Sequence, residues 1–380
     1  MKRHIFLKGA LTGALIVLLA AGLASCGLLK SEESRKMELL ESLIDRYYIG
    51  EADAEDLTEG VYKGYIEGLG DPYSAYYDEE ETARMAESLS GEFGGVGALM
   101  SQDRETGVIT VLQVYEDSPA QKAGMQDGDV LYKVDGEDVS GRELTEVVNL
   151  VKGEKGTDVT LTLLRGDAGD EIELTVTRDT IEDQTVTYEM KEAGVGYIRV
   201  AEFDTVTYEQ YKEALEDLEA QGMEKLVIDL RSNPGGNLET VCDMLDLMLP
   251  EGLIVYTEDK DGRREEYTSD AEHQFDKPLA VLVDGYSASA SEIFAGAIQD
   301  YGLGQIVGTR SYGKGVVQSI FDLKDGTSVK LTIAEYFTPR GRSIDGEGIT
   351  PDVEVEYVYD EADPQADNQL EKALEVLTQQ

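Results

Sequence analysis

The stretch VLVDGYSASASEIFAGAIQD, residues 281–300, joins an apolar run to a cluster of three serines and then to a segment with helical spacing. A short apolar run before a turn signal is typical of a buried strand, and the periodic segment after it predicts a helix. A serine at such a junction can cap the helix. It can also be a nucleophile, because a strand-to-helix turn exposes its hydroxyl beside free backbone N–H groups. Choosing between these roles requires a base elsewhere in the chain.

The segments around this stretch alternate between apolar runs and amphipathic helices from about residue 180 onward. Strands are predicted at Val195–Val200, Leu226–Leu230 and Leu279–Val283, with further strands near Ile306, Val316 and Val329. This alternation indicates βαβ units and a sheet covered on both faces. We therefore predict an α/β core over residues 180–358, followed by an acidic connector and a terminal helix over 359–380.

The first half of the chain has a different organisation. Residues 30–90 carry apolar residues at three- and four-residue spacing, which predicts a helical region. Residues 91–179 change to the alternation of short strands around one amphipathic helix that contains Leu144, Val147 and Val151. We predict a multidomain α/β protein in which a small β-rich binding module lies between the helical region and the core.

The β-rich module has the ordered motifs of a PDZ domain. These are GGVGA at 94–98, SPA at 118–120 with AG at 123–124, and GDVL at 128–131 followed by VDG at 134–136. The segment resembles that domain, whose glycine loop offers backbone N–H groups to the carboxylate of a peptide C-terminus. The resemblance implies that Gly95, Val96, Gly97 and Ala98 bind this carboxylate. A tight turn is the alternative for any single glycine.

Composition excludes several classes of function. The chain has 380 residues, 41% of them hydrophobic, and a formal net charge of −45. That charge repels phosphate backbones, so we expect no nucleic-acid partner. Two histidines and two cysteines are too few for a zinc site of Cys and His ligands, and no loop has the spacing of an EF-hand. We predict neither a metal nor a cofactor.

The N-terminus has the pattern of an export signal. Lys2, Arg3 and Lys8 precede or border the apolar run of residues 10–24, which is short for a membrane-spanning helix. The sequence LASC at 23–26 resembles a bacterial lipoprotein box, which implies lipidation of Cys26; an uncleaved signal anchor is the alternative. Either reading predicts a segment 1–26 that directs the chain out of the cytoplasm and tethers it to the bacterial cell membrane.

A serine nucleophile needs a group that removes its proton at neutral pH. His4 is lost with the signal, and His273 lies in a polar stretch that reads as a surface loop. A lysine is the remaining base, provided that burial or a neighbouring cation lowers its pKa. Lys314 lies in the apolar, glycine-rich segment SYGKGVVQ at 311–318, which suits that requirement.

The ordered motifs of residues 70–352 resemble the C-terminal processing peptidases, which are tail-specific proteases with a Ser/Lys dyad. The matching motifs are GDPYS at 70–74, DLRSNPGG at 229–236, SASASEI at 287–293, GKGVVQ at 313–318 and GITPD at 348–352. The family spacing of 25 positions implies that Ser289 is the nucleophile and Lys314 the general base. It also implies that Gln318 orients the lysine, that Ser287 and Ser291 cap or pack, and that the core has a crotonase- or ClpP-like fold.

Further expectations follow from this resemblance. Gly235 and Gly236 follow a buried strand, and one of them, with the stronger expectation for Gly236, forms an oxyanion hole with the N–H of Ala290. Arg165 resembles an arginine that senses occupancy of the PDZ domain, and a plain surface charge is the alternative. Relatives dimerise through terminal helices, which implies a homodimer through residues 34–69 and 366–377. Asp229 and Arg231 are interpreted as structural.

The resulting hypothesis is an exported, membrane-tethered serine endopeptidase that binds exposed C-termini of protein or peptide substrates through its PDZ domain. Two other classes compete with it. One is a catalytically inactive PDZ scaffold, and the other is an acyl-CoA enzyme with a related sheet and oxyanion hole.

Overall fold

The computed structural model of the chain describes residues 32–166, 168–270 and 272–379. The predicted export signal and Cys26 lie outside these residues. The chain divides into two compact units, Met1–Leu69 and Gly70–Gln380. Within the described ranges, no helix combines the length and the apolar character needed to cross a membrane.

The described part of the first unit consists of two helices, α1 (Glu32–Tyr47) and α2 (Ala54–Glu67). Helix α2 begins after Asp53, whose carboxylate accepts hydrogen bonds from the next turn of backbone. Large apolar side chains of this unit, including Leu39, Leu43 and Ile49, are exposed. The prediction of a helical N-terminal segment is confirmed.

The second unit begins with a short strand, β1 (Ala75–Tyr77), and a helix, α3 (Glu79–Ser90). Strand β1 lies inside the region that periodicity assigned to helix. It is extended because it pairs with a distant strand of the core at residues 328–330. Helix α3 starts in a capping box and ends at Gly91, which has the left-handed φ of 69°.

The PDZ module follows α3 and packs a small sheet around one groove-forming helix. Its elements are β2 (Glu92–Gly95), β3 (Ala98–Gln102), β4 (Ile109–Val114), α4 (Pro119–Ala123), β5 (Val130–Val134), β6 (Glu137–Asp138), α5 (Leu144–Val151), β7 (Asp158–Arg165), β8 (Asp170–Thr177) and β9 (Asp179–Glu182). The sheet order is β3-β4-β5-β7-β8, so β3 is an edge strand, and β2 pairs with β9. Val111, Val147, Leu161 and Leu163 are fully buried between the sheet and α5.

The core contains a six-stranded sheet and a second, smaller sheet. Its elements are β10 (Val186–Lys191), β11 (Val195–Val200), α6 (Thr207–Ala220), β12 (Lys225–Asp229), α7 (Leu238–Asp246), β13 (Gly252–Asp259), β14 (Arg264–Ser269), β15 (Leu279–Val283), α8 (Ala290–Tyr301), β16 (Gln305–Gly308), β17 (Val316–Asp322), β18 (Ser328–Phe337), β19 (Val353–Glu354) and α9 (Asn368–Leu377). The first sheet has the order β10-β11-β12-β15-β16-β19 and is parallel from β11 onward. Strands β1, β13, β14, β17 and β18 form the other sheet.

Helices cover both faces of the six-stranded sheet, as the alternating pattern predicts. Residues of α6, α7 and α8 bury one face, and Ala373 and Leu377 of α9 bury the other against Val227 and Leu282. Because β12 and β15 are parallel neighbours, the loops after their carboxyl ends meet at one edge. Those loops contain Gly235, Gly236 and Ser289.

Candidate active site

Ser289 lies at the turn between β15 and α8, immediately before the first residue of the helix. Its backbone has φ 54° and ψ −114°, a conformation that residues with a side chain rarely adopt. The preceding turn is held by the Asp284 carboxylate, which accepts hydrogen bonds from the N–H groups of Ser232, Tyr286 and Ser287. Ser289 is partly buried at the start of α8.

The two flanking serines are fully buried and bind backbone. The Ser287 hydroxyl donates to the Leu230 carbonyl at 2.8 Å, and the Ser291 hydroxyl donates to the Asn233 carbonyl at 3.0 Å. Both side chains therefore fasten the turn after β15 to the loop after β12. This confirms the prediction that Ser287 and Ser291 have a packing role.

The loop after β12 presents one unused backbone N–H beside Ser289. The Gly235 N–H donates to the Asn233 side chain at 2.8 Å, whereas those of Gly236 and Ala290 have no acceptor among the described residues. The two glycines also leave no room for a side chain: a Cβ on Gly235 would lie 2.8 Å from the Ser289 Cβ, and one on Gly236 would lie 2.3 Å from the Phe203 carbonyl oxygen. Of the two predicted glycines, Gly236 is the one with an N–H free to stabilise an oxyanion.

Glu292 is a site residue that sequence reasoning missed. Its side chain is fully buried on α8 and accepts four hydrogen bonds. The donors are the N–H of Ser289 at 2.9 Å, the hydroxyl of Ser311 at 2.6 Å, the N–H of Gly313 at 2.7 Å and the N–H of Lys314 at 2.9 Å. One carboxylate thus connects the backbone of the predicted nucleophile to the backbone of the predicted base. The sequence signals were its place in the SASASEI motif and its charge in the first turn of a mainly apolar helix.

Lys314 precedes strand β17 and is partly buried. Burial lowers its pKa, the charge of Lys330 lowers it further, and Glu292 opposes that shift. The amine lies 5.2 Å from the centre of the Tyr73 ring. No hydrogen bond joins the Lys314 amine to the Ser289 hydroxyl among the described contacts. The backbone of both residues nevertheless meets at Tyr336, whose buried hydroxyl lies within hydrogen-bonding distance of the carbonyl oxygens of Ser289 and Lys314 and has one proton to donate to them.

Gln318 lies on β17, on the same wall as Lys314, but binds other groups. Its side-chain amide donates to the Val316 carbonyl at 3.3 Å and to the Thr332 hydroxyl at 3.4 Å. The structure therefore shows no direct contact through which Gln318 would orient the lysine, and this role stays a prediction.

One cavity of about 620 Å³ connects the predicted catalytic groups, and we call it the catalytic cavity. Ser289, Lys314, Gln318, Gly236 and Ala290 all line it. Met85, Ser88 and Leu89 of α3 form another wall. The cavity thus brings together a serine hydroxyl, an amine with a lowered pKa and two unused N–H groups, which are the kinds of group that acyl transfer requires.

The predicted carboxylate site of the PDZ module has two backbone N–H groups to offer. Gly95 pairs with β9 and Ala98 pairs with β4, but the N–H groups of Val96 and Gly97 have no acceptor in the described part of the chain. Gly97 has φ 77°, and a Cβ there would lie 2.5 Å from the Ser118 Cβ. The loop therefore requires glycine at this position, and the peptide contacts of all four residues stay predictions.

The structure also shows the partners of the two arginines for which the sequence suggests roles. Arg165 is bound inside the PDZ module, where its guanidinium makes two 2.7 Å hydrogen bonds to the buried carboxylate of Asp129. Arg231 pairs with Asp229 and with Asp367 beside α9, which agrees with a structural role. No cluster of potential metal ligands occurs among the described residues, and Cys242 is a free, buried thiol.

Three family models match this chain. The model of peptidase family S41 matches residues 194–355, the PDZ model matches 110–165, and a model described as the activating protease CtpB N-terminal domain matches 24–82. Together these models extend from residue 24 to residue 355.

Individual relatives give the same result. The chain is 38% identical to a carboxy-terminal-processing protease of Bartonella bacilliformis, over 81% of this chain and 72% of that protein. It is 34% identical to the carboxy-terminal processing protease CtpB of Bacillus subtilis, over 86% of this chain and 69% of that protein. Among solved structures, the photosystem II D1 C-terminal processing protease matches with a TM-score of 0.50 and 31% identity, over 84% of this chain and 86% of that chain.

Proposed function

Because this chain belongs to peptidase family S41, among the carboxy-terminal processing proteases, we propose that it cleaves peptide bonds with Ser289 as nucleophile and Lys314 as general base. The family membership makes the chain a serine peptidase with a PDZ domain. The observation that carries the residue assignment is the catalytic cavity, where both side chains and two unused N–H groups face one space.

The proposed reaction needs the neutral form of the Lys314 amine. Burial and Lys330 both favour that form. Movement of the flexible lysine chain from the Tyr73 ring to the Ser289 hydroxyl would complete the dyad, since catalytic hydrogen bonds often shorten only when substrate binds. Lys314 then takes the hydroxyl proton as the Ser289 oxygen attacks the scissile carbonyl, and it passes that proton to the amine as the peptide bond breaks. Water finally hydrolyses the acyl ester, which releases the acyl group as a carboxylic acid and restores the Ser289 hydroxyl.

The N–H groups of Gly236 and Ala290 support the proposed oxyanion hole. Neither N–H donates a hydrogen bond to an acceptor among the described residues, and both residues line the catalytic cavity. Donors fixed in a backbone need no reorganisation when negative charge develops, which is the source of their contribution.

The test of this assignment compares Ser289→Ala, Lys314→Met and Ser291→Ala. We expect the first two to lose peptide cleavage by at least about 1,000-fold, as removal of a nucleophile or base does in other serine peptidases. Ser289→Ala should also lose labelling by a phosphonate probe that reacts with activated serines. Ser291→Ala should keep the labelling and lose about 1 kcal/mol of stability with its buried hydrogen bond. Cleavage by Ser289→Ala at the wild-type rate would refute the assignment, and labelling of the wild type separates a peptidase from an inactive scaffold.

We also propose that the PDZ module captures the free C-terminus of the substrate, with the N–H groups of Val96 and Gly97 as donors. Their lack of acceptors among the described residues and the edge position of β3 support this role. In the same proposal, segment 1–26 directs export and Cys26 carries the lipid. A radiolabelled fatty acid supplied to cells should then label the wild type but not Cys26→Ser, and equal labelling of both proteins would contradict lipidation of Cys26.

A further inference from the structure

A second cavity, of about 560 Å³, also reaches Lys314 and borders the turn that contains Ser289. Three tyrosines form its walls, Tyr73, Tyr286 and Tyr312, and we call it the aromatic pocket. Its remaining lining includes Pro234, next to the glycine pair, and Ala288, next to Ser289. Lys314 lines both the aromatic pocket and the catalytic cavity. The two cavities thus meet at Lys314 and at the turn that contains Ser289.

The aromatic pocket is held by the same hydrogen bonds as the nucleophile turn. The Tyr286 N–H donates to the Asp284 carboxylate at 2.9 Å, and the Tyr312 N–H donates to the Ser287 carbonyl at 3.0 Å. Tyr73 is held from a third segment, where its N–H donates to the Asp71 carboxylate at 3.0 Å. The backbones of Tyr286 and Tyr312 are thus tied to the turn that contains Ser289, whereas Tyr73 is held within its own segment.

Two of these rings are unusually exposed for large aromatic side chains. Tyr286 is 74% exposed and Tyr312 is 58% exposed. Exposed aromatic rings around a concave surface mark a binding site more often than scattered apolar residues do, and rigid rings lose little entropy on contact. The only charged group in the lining is the Lys314 amine, which disfavours a cationic occupant and would be held in its protonated form by an anionic one.

We propose that the aromatic pocket binds a bulky apolar or aromatic side chain of the substrate residue that flanks the scissile bond. This inference rests on the proposed function, since it assigns the substrate preference of the same site. Successive residues of an extended peptide are about 3.3 Å apart, so a chain with its carbonyl at Ser289 places a flanking side chain beside Ala288 and Pro234. Tyr286 and Tyr312 are specificity residues in this proposal, and they take no part in the chemistry.

The experiment measures kcat/KM for peptides that differ only in the residues flanking the cleaved bond, with Ala, Leu, Phe, Lys or Glu at each position. We expect the wild type to prefer Leu or Phe over Ala at one flanking position by at least about 10-fold, the scale of an apolar side chain in a specificity pocket. Tyr286→Ala and Tyr312→Ala should each reduce that preference several-fold, by slowing cleavage of the Leu and Phe peptides while cleavage of the Ala peptide persists. Tyr359→Ala, at an exposed tyrosine outside the pocket, should leave the preference unchanged.

Conservative variants test whether the ring surface is what matters. Tyr286→Phe and Tyr312→Phe keep the ring and should keep the preference. Loss of the preference in these variants, or an equal loss of rate on the Ala and Phe peptides in the Ala variants, would overturn the proposal. Wild-type cleavage that shows no preference for apolar residues would also overturn it, while leaving the Ser289 assignment intact. Cleavage that persists in Ser289→Ala would instead refute the proposed function.

Discussion

At the scale of single residues, the proposed chemistry depends on the charge state of Lys314. Its amine is partly buried, and a second cation, Lys330, lines the same catalytic cavity from strand β18. Lys330 has no carboxylate partner in an ion pair among the described residues, and its amine lies 5.3 Å from the centre of the Tyr77 ring. Its charge is therefore not neutralised locally, and it disfavours protonation of Lys314. The carboxylate that opposes it, Glu292, is already bound by four donors.

This arrangement predicts how activity depends on pH. Only the neutral amine can accept a proton, so kcat/KM should rise as pH increases through the lowered pKa of Lys314. Lys330→Met removes the repelling charge and should raise that pKa, which moves the rising limb of the profile to higher pH. Lys330→Arg keeps the charge and should keep the wild-type limb. Identical profiles for wild type and Lys330→Met would show that Lys330 does not act on the base.

At the scale of elements, helix α8 joins the backbones of Ser289 and Lys314, the proposed nucleophile and base, through Glu292. The carboxylate reaches the N–H of Ser289 on its own helix and the backbone before β17, and it is fully buried. Buried carboxylates that accept several N–H bonds are costly to replace, because the donors lose their acceptor without access to water. Ser289 also has a strained backbone, which persists only while its surroundings hold it.

Glu292→Gln should therefore impair both stability and catalysis. The amide has one acceptor oxygen and would turn its NH2 toward backbone N–H groups that need an acceptor. We expect a loss of roughly 2–3 kcal/mol in the free energy of unfolding and a fall in kcat of at least about 10-fold. Urea denaturation and cleavage assays measure the two effects. Glu239→Gln, at an exposed carboxylate on α7 that lines the same cavity, is the matched control and should change stability by less than about 0.5 kcal/mol.

The connection between β11 and α6 contains a buried acidic group that links pH to stability. Asp204 is buried, and burial together with Glu202 and Asp183 raises its pKa to about 7. The folded state thus holds a proton that the unfolded state releases near its ordinary pKa of about 4. The contribution of Asp204 to stability is therefore fully present below about pH 4 and is lost as the pH rises through about 7.

Asp204→Asn should remove this dependence, because the amide stays neutral at every pH. We expect the advantage of the variant over the wild type in thermal stability to grow from pH 5 to pH 8. Each kcal/mol of that growth should raise the melting midpoint by roughly 2–4 °C. Melting curves at both values measure the effect. Asp261→Asn, at an exposed carboxylate, should show no such gain. A difference between Asp204→Asn and wild type that is the same at pH 5 and pH 8 would contradict the raised pKa.

At the scale of the whole molecule, recognition of the substrate terminus and cleavage are assigned to different sites of one compact unit. The proposed carboxylate loop contains Val96 and Gly97, while the catalytic cavity lies at the edge of the core sheet. A peptide must then present a free C-terminus as well as a suitable scissile bond. Of the two segments predicted to form a homodimer, α9 uses its apolar face within this chain, whereas α1 and α2 expose apolar residues. The homodimer stays a prediction.

Amidation of the substrate C-terminus tests the recognition step without changing the enzyme. We expect kcat/KM to fall about 10-fold or more when the terminal carboxylate becomes an amide, because charge-assisted bonds to the two N–H groups are lost. Gly97→Ala, which would bring a Cβ to 2.5 Å from the Ser118 Cβ, should distort the loop and remove the difference between acid and amide. Equal rates of the wild type on both peptides would exclude capture through the carboxylate.

The sequence by itself determined the helical start, the PDZ module, the α/β core and the residue types of a serine peptidase. These features are local: periodicity of apolar residues selects helices and strands, and the motifs around Ser289 and Lys314 lie in short contiguous segments. The sequence also limited the oxyanion donor to two neighbouring glycines. The resemblance favoured Gly236, but a glycine pair has no side-chain signal that shows which N–H is free.

Only the tertiary structure decided which groups are free and which are used. Gly236 keeps its N–H available because Asn233 takes the N–H of Gly235, and Glu292 becomes a shared acceptor because the segment before β17 folds back onto α8. The aromatic pocket combines Tyr73, Tyr286 and Tyr312, which are separated by up to 239 positions in the chain. Such sets depend on how distant loops meet at one sheet edge, and the periodicity of any single segment contains no information about that meeting.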